Sequence, residues 1–148
     1  MTSSPVDPAD PEDPAVSAVP TDPADPADPD VALVLAAYAA YARGDIDAAV
    51  VDLDPDVDWV EPEEFPNGGP HPGRDAVHKY LSAAYAMWRE LDSERSAYRR
   101  GEEIVVVHRM RGVLTDGVPL EITAADVYTV VEGRVVRMHA HADPAEVL

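Results

Sequence analysis

The chain has 148 residues and a formal charge of −18, set by 29 acidic and 11 basic side chains, and it contains no cysteine. The missing cysteines exclude thiolate catalysis, Cys-based zinc sites, iron–sulfur clusters and disulfides. The acidic balance counts against nucleic acid and anionic membranes, whose phosphates demand clustered Lys and Arg.

Residues 1–30 hold eight of the fifteen prolines and eight of the acidic side chains, with no Lys, Arg or aromatic residue. In Asp22-Pro23-Ala24-Asp25-Pro26-Ala27-Asp28-Pro29-Asp30 proline recurs every third position, where the backbone can neither continue a helix nor donate to a ladder. Residues 1–30 are therefore expected to be a disordered acidic tail. Residues 31–148 are expected to be one domain, large enough to bury about two-thirds of its unfolded surface. No basic start leads into an apolar stretch of signal-peptide length, so a cytoplasmic location is expected.

Val31–Ala42 is an unbroken apolar run, too short for the roughly 20 residues that span a bilayer. It predicts a buried helix capped by Asp30 and ended at Gly44. Asp45 caps a second helix through about Leu53, stopped by Asp54-Pro55, and a strand follows near 56–61. The Pro- and Gly-rich segment 62–73 reads as a long irregular loop. Helical spacing then extends over Asp75–Leu91, with Ala76, Tyr80, Ala83, Ala84, Met87 and Leu91 on one stripe. Four strands are expected at about 94–100, 103–114, 118–131 and 134–142, the last three joined by Thr115-Asp116-Gly117 and Val131-Glu132-Gly133 as three-residue loops. The order predicts an α+β fold, three helices in the N-terminal half packed on a curved, mostly antiparallel sheet.

Side chains alternate across a sheet, and a hairpin loop fixes which residues share a face. Three-residue loops set Leu114 opposite Val118 and Val130 opposite Arg134, and the even-numbered residues from Ile104 to Ala140 then share one apolar face. Val136 and Met138 belong to it. Well inside it stand His108 and Asp126, His108 opposite Ala124 and diagonal to Asp126. Glu61 shares the parity of Val57 and Trp59 and should also point inward. A buried carboxyl resists ionisation, which suits it to donate a hydrogen bond or a proton near neutral pH. Less remarkable roles are open to all three: a satisfied core histidine, an aspartate bonded to backbone amides, a glutamate at the rim. The other face, with Val105, Val107, Val113, Val127, Val131 and Val135 among Arg109, Arg111 and Arg137, suits a homodimer interface. His139, His141 and Asp143 have a spacing that could serve a metal, but no second motif supports one and none is expected.

Four segments carry a resemblance over nearly all of 31–148: Tyr41-Ala42-Arg43-Gly44-Asp45-Ile46-Asp47-Ala48, Asp56-Val57-Asp58-Trp59-Val60-Glu61-Pro62, His71-Pro72-Gly73-Arg74-Asp75-Ala76-Val77 and Ala125-Asp126-Val127-Tyr128-Thr129-Val130-Val131-Glu132-Gly133-Arg134-Val135. The pattern resembles the nuclear transport factor 2-like superfamily, particularly its SnoaL-like polyketide cyclase and ketosteroid isomerase branches. The resemblance implies a cone-shaped α+β fold that hosts many reactions. It places Asp126 at the inward aspartate of both branches and Glu61 at the isomerases' proton-shuttling carboxylate. The isomerases' first-helix tyrosine falls on Ala37, beside Tyr38 and Tyr41. Asp126 with His108 looks more like the cyclase arrangement.

These readings give a cofactor-independent acid–base enzyme for a small, apolar, carbonyl-bearing substrate, acting by enolisation and then aldol closure or double-bond shift. Asp126, His108 and Glu61 are its catalytic candidates. Tyr38, Tyr41, Trp59, Tyr80, Tyr85, Trp88, Met110, Tyr128 and Met138 are expected to line the pocket, with Phe65–Gly73 as a lid. The alternatives are a non-catalytic binding or dimeric interaction module of the same fold, and an epoxide hydrolase or dehydratase.

Overall fold

The computed structural model describes residues 21–148. In chain order these form β1 (Thr21–Pro23), α1 (Pro29–Ala42), α2 (Ile46–Val50), β2 (Leu53–Glu61), β3 (Gly69–Pro70), α3 (Arg74–Ala86), β4 (Trp88–Arg100), β5 (Glu103–Leu114), β6 (Pro119–Val131), β7 (Arg134–His141) and a 3₁₀ turn at Pro144–Glu146. The strands make one sheet in the order β1-β4-β5-β6-β7-β2-β3. Only β2 and β7 run parallel, and the other pairs are antiparallel. The three helices cover one face, so the α+β architecture with a mostly antiparallel sheet is as the sequence predicts. No helix among the described residues is long and apolar enough to cross a membrane.

The expected tail does not extend to residue 30. Thr21–Pro23 pairs with Tyr98–Arg100 as an edge strand, and the Ala24 amide bonds to Ala97 O at 2.9 Å. Such a short edge strand tolerates Pro23, because a proline with no N–H to donate is admissible at a sheet edge. Asp28, not Asp30, caps α1 by accepting from the Asp30 amide, with Pro29 at the first helical position, where a missing N–H costs nothing. Asp28 also pairs with Arg99 of β4 at 2.8 Å. Residues 1–20 of the expected tail lie outside the described residues.

α3 stops at Ala86, five residues before the expected end, because β5 runs to Leu114 and Trp88 pairs with that end of it. The stripe of α3 shifts accordingly: Val77 is fully buried, while Ala83 is exposed. Behind the helices lies a core of Val31, Val34, Leu53, Val57, Val77, Ile104, Val106, Val135 and Met138.

The β5–β6 register is the predicted one, with His108 opposite Ala124, Val106 opposite Asp126 and a Leu114 amide bond to Val118 O. The β6–β7 hairpin differs. Val131 pairs with Arg134 across a two-residue Glu132-Gly133 turn, both residues at positive φ (52° and 77°), the geometry that suits the strand twist. A bulge follows, after which Thr129 faces Arg137 and Asp126 faces Ala140. The tight turn sends Val135 rather than Val136 into the core, and the extra residue of the bulge returns Met138 and Ala140 to the inner face.

On the outer face, Val105, Ala125 and Val127 are buried against Val147 of the C-terminal turn and Tyr98. Arg109 and Arg111 pair there with Glu94, Glu121 and Asp92. Two of the valines assigned to a partner subunit are thus covered by the chain's own end. Val135 faces the other way. His139 bonds to Asp58 and His141 to Glu146, at 3.1 and 3.2 Å, so the two histidines serve separate carboxylates.

Candidate functional site

Between the helices and the inner sheet face lies a cavity of about 100 Å³, room for roughly one small ring. Its wall contains Glu61, His108 and Asp126, the three inward ionisable residues, together with Tyr38, Tyr41, Trp59, Tyr80, Met110 and Tyr128. Met138 is not among them, being packed in the core below at 1% exposure. Trp88 is also outside the wall, because the chain leaves α3 one residue earlier and Trp88 begins β4. Tyr85 packs edge-on against Tyr41 behind the wall.

Each element delivers its groups by simple periodicity. Along α1, Ala37, Tyr38 and Tyr41 share the face over the sheet. In β2, Val57, Trp59 and Glu61 alternate inward. From α3 come Tyr80 and Leu81 and, one helical turn on, Ala84. The segment expected as a lid is anchored instead. Gly69–Pro70 pairs with β2, the His71 amide bonds to Trp59 O at 2.8 Å, and the Gly73 amide bonds to Val57 O at 2.9 Å. Phe65 is its one contribution to the pocket.

Asp126 and Glu61 are both buried, and each is met by donors. The Tyr128 hydroxyl donates to the Tyr38 hydroxyl at 2.8 Å, and Tyr38 donates in turn to Asp126 Oδ2. The indole N–H of Trp59 donates to Glu61 Oε2 at 2.7 Å, and the Tyr80 hydroxyl faces the same carboxyl. Burial pushes both carboxyls above the ordinary carboxylate range. The negative charge of Asp126 raises Glu61 further, whereas the Tyr38 hydroxyl holds Asp126 back. Glu61 is therefore the more basic member of the pair. Burial and the neighbouring Arg95 push His108 down to about 4, so its imidazole is neutral at pH 7.

The geometry thus brings together all three ionisable candidates and six of the nine aromatic and methionine positions expected around them. Ala37, Ala49, Phe65, Leu81, Ala84 and Ala124 also line the pocket. Phe65 belongs to the segment expected over the pocket, whereas the alanines and Leu81 carry no chemical signal, and only their place on a shared face marks them. Ser93 and Arg95, on β4, were missed for a different reason. β4 begins at Trp88 rather than 94, and its pairing with β5 turns Ser93, Arg95 and Ala97 to the inner face. A two-residue turn at Gly101-Glu102 would have shown this.

The SnoaL-like domain family profile matches residues 34–138. No curated protein matches the chain. Among solved structures, an NTF2-like protein of unknown function from Burkholderia pseudomallei K96243 is 26% identical over 80% of this chain and 93% of its own, with a TM-score of 0.68. TerC, co-crystallised with polyporic acid, is 22% identical over 80% and 94%, with a TM-score of 0.66. A protein of ketosteroid isomerase-like fold from Catenulispora acidiphila DSM 44928, in complex with trimethylamine, is 18% identical over 78% and 88%, with a TM-score of 0.65. The latter two are alike in fold.

Proposed function

Since the chain belongs to the SnoaL-like domain family, in the NTF2-like superfamily, we propose that its pocket performs cofactor-independent acid–base chemistry on a small, largely apolar ketone. The observation that carries this reading is the pair of buried carboxyls in one aromatic-lined cavity, pushed to different proton affinities by their neighbours. Two titratable groups driven apart in this way divide the roles of base and acid. Asp126, stabilised as an anion by Tyr38, takes a proton from the carbon next to the carbonyl. Glu61 retains its proton and donates it as a hydrogen bond, without transferring it, to the oxygen on which charge develops. Asp126 then returns its proton to a different carbon, shifting a double bond, or the enolate carbon attacks a second carbonyl of the same molecule and the new alkoxide takes up the proton that Asp126 removed, so that both carboxyls end as they began. The rings of Tyr41, Trp59, Phe65 and Tyr80 supply an apolar surround in which those transfers are not levelled by water.

Exchange of α-protons for deuterium, followed by proton NMR on a panel of cyclic apolar ketones in D₂O, tests the reading without knowledge of the product. Wild-type protein should accelerate exchange for at least one ketone, and Asp126→Asn should lower that rate about 10²-fold or more. Exchange equal to the buffer rate for the whole panel would overturn it.

A further inference from the structure

The inner face of β4 carries an arginine that the acid–base pair does not use. Arg95 stands directly across from His108 in the β4–β5 register and is half-buried. Among the described residues no carboxylate lies within ion-pair distance of it, although Arg43, Arg99, Arg100, Arg109, Arg111 and Arg137 all have such partners. Arg95 Nη1 instead donates to Ser93, to Oγ at 3.2 Å and to the backbone oxygen at 3.5 Å. Ser93 Oγ in turn lies 2.8 Å from His108 Nε2.

A hydroxyl has one proton to give and two lone pairs to offer. With Arg95 engaged on a lone pair of Ser93, and the adjacent positive charge making that hydroxyl a better donor, its proton is directed at His108 Nε2. A neutral imidazole that accepts at Nε2 carries its own proton on Nδ1. No described group accepts from that Nδ1, while the ring forms part of the pocket wall and meets the Tyr38 ring edge-on at 4.7 Å.

We propose that Arg95 and Ser93 are positioning residues that fix His108 as its neutral Nδ1–H tautomer, making it a hydrogen-bond donor to an oxygen of the pocket's ligand. The substrate class follows from that donor: its oxygen is an acceptor that gains negative charge, a ketone oxygen becoming an enolate, with the charge of Arg95 behind the imidazole. The opposite tautomer would present a lone pair and select a hydroxyl-bearing ligand. The identity of the ligand oxygen rests on the acid–base reading, but the tautomer does not.

Long-range proton–nitrogen correlation spectra of the ¹⁵N-labelled full chain at pH 7 read the tautomer directly, His108→Gln serving to assign the signals. Wild type should show a pyrrole-like Nδ1 and a pyridine-like Nε2. Ser93→Ala should shift the two resonances towards each other as the tautomers mix, Ser93→Thr should restore the wild-type pattern, and Arg95→Met should move Nε2. A proton on Nε2 in wild type overturns the proposal. So does a single Nδ1–H tautomer unaltered in both Ser93→Ala and Arg95→Met; should the alanine variant not fold, the wild-type and Arg95→Met spectra decide. In the ketone-exchange assay Ser93→Ala should lower kcat about 10-fold with KM little changed. Wild-type protein with the expected tautomer and no exchange would refute the acid–base reading while leaving the relay intact.

Discussion

Glu61 and His108 act on stability in opposite directions. Glu61 has a folded-state affinity for protons above its ordinary value of 4.5, so the native state holds more protons than the unfolded chain, and stability falls as pH rises from about 4.5 through the raised value. His108 is lowered from 6.5 to about 4, so its contribution is lost as pH falls between those values. Glu61→Gln removes the first penalty and keeps an acceptor for the Trp59 N–H. Urea unfolding should show the variant more stable than wild type by about 1–3 kcal/mol at pH 9, the gain vanishing by pH 4. Tyr38→Phe acts the other way. It leaves Asp126 without its donor and the Tyr128 hydroxyl without its acceptor, and should cost about 1–3 kcal/mol. Carbon-detected titration should also show the Asp126 carboxyl moving further up. At this scale the sequence was informative wherever strand parity held. His108, Asp126 and Glu61 were legible because each interrupts an apolar alternation, whereas Tyr38 beside Ala37 depended on the exact rotation of α1, which a helix apolar all round does not disclose.

Among the elements, those with strong punctuation were legible and those bounded by pairing partners were not. Asp45 and Gly44 mark the gap between α1 and α2 in the sequence, and the structure has it there. Trp88–Leu91 continues the helical spacing of α3, yet it is strand, because the long β5 needs a partner for its backbone as far as Leu114. Glu132-Gly133 reads in the sequence as the end of a three-residue loop because a glycine preceded by a charged residue fits either geometry. Glu132 has a φ of 52°, which costs a glutamate more than an asparagine. Glu132→Asn should therefore stabilise the protein by about 0.5 kcal/mol in thermal unfolding.

Over the whole molecule, the boundary between tail and domain lies earlier than composition suggests. Composition averages over proline and aspartate, while the structure uses Pro23 at an edge, Asp28 as cap and ion-pair partner, and Pro29 as the first helical residue. A chain of residues 31–148 should thus be less stable than the full chain by about 2 kcal/mol, from the lost cap and edge strand together, as calorimetry can measure. The C-terminal turn is likewise part of the body, since Val147 covers Val105 and Val127.

The two-residue turn and the bulge between β6 and β7 behave like a frameshift and its suppressor. The tight turn alone would flip β7 and aim Arg137 and His139 at the core. The extra residue restores the reading frame, and Met138 and Ala140 face inward again. Either irregularity can therefore be altered only together with the other, and deleting Val136 by itself should scramble the floor of the pocket without touching a residue that lines it.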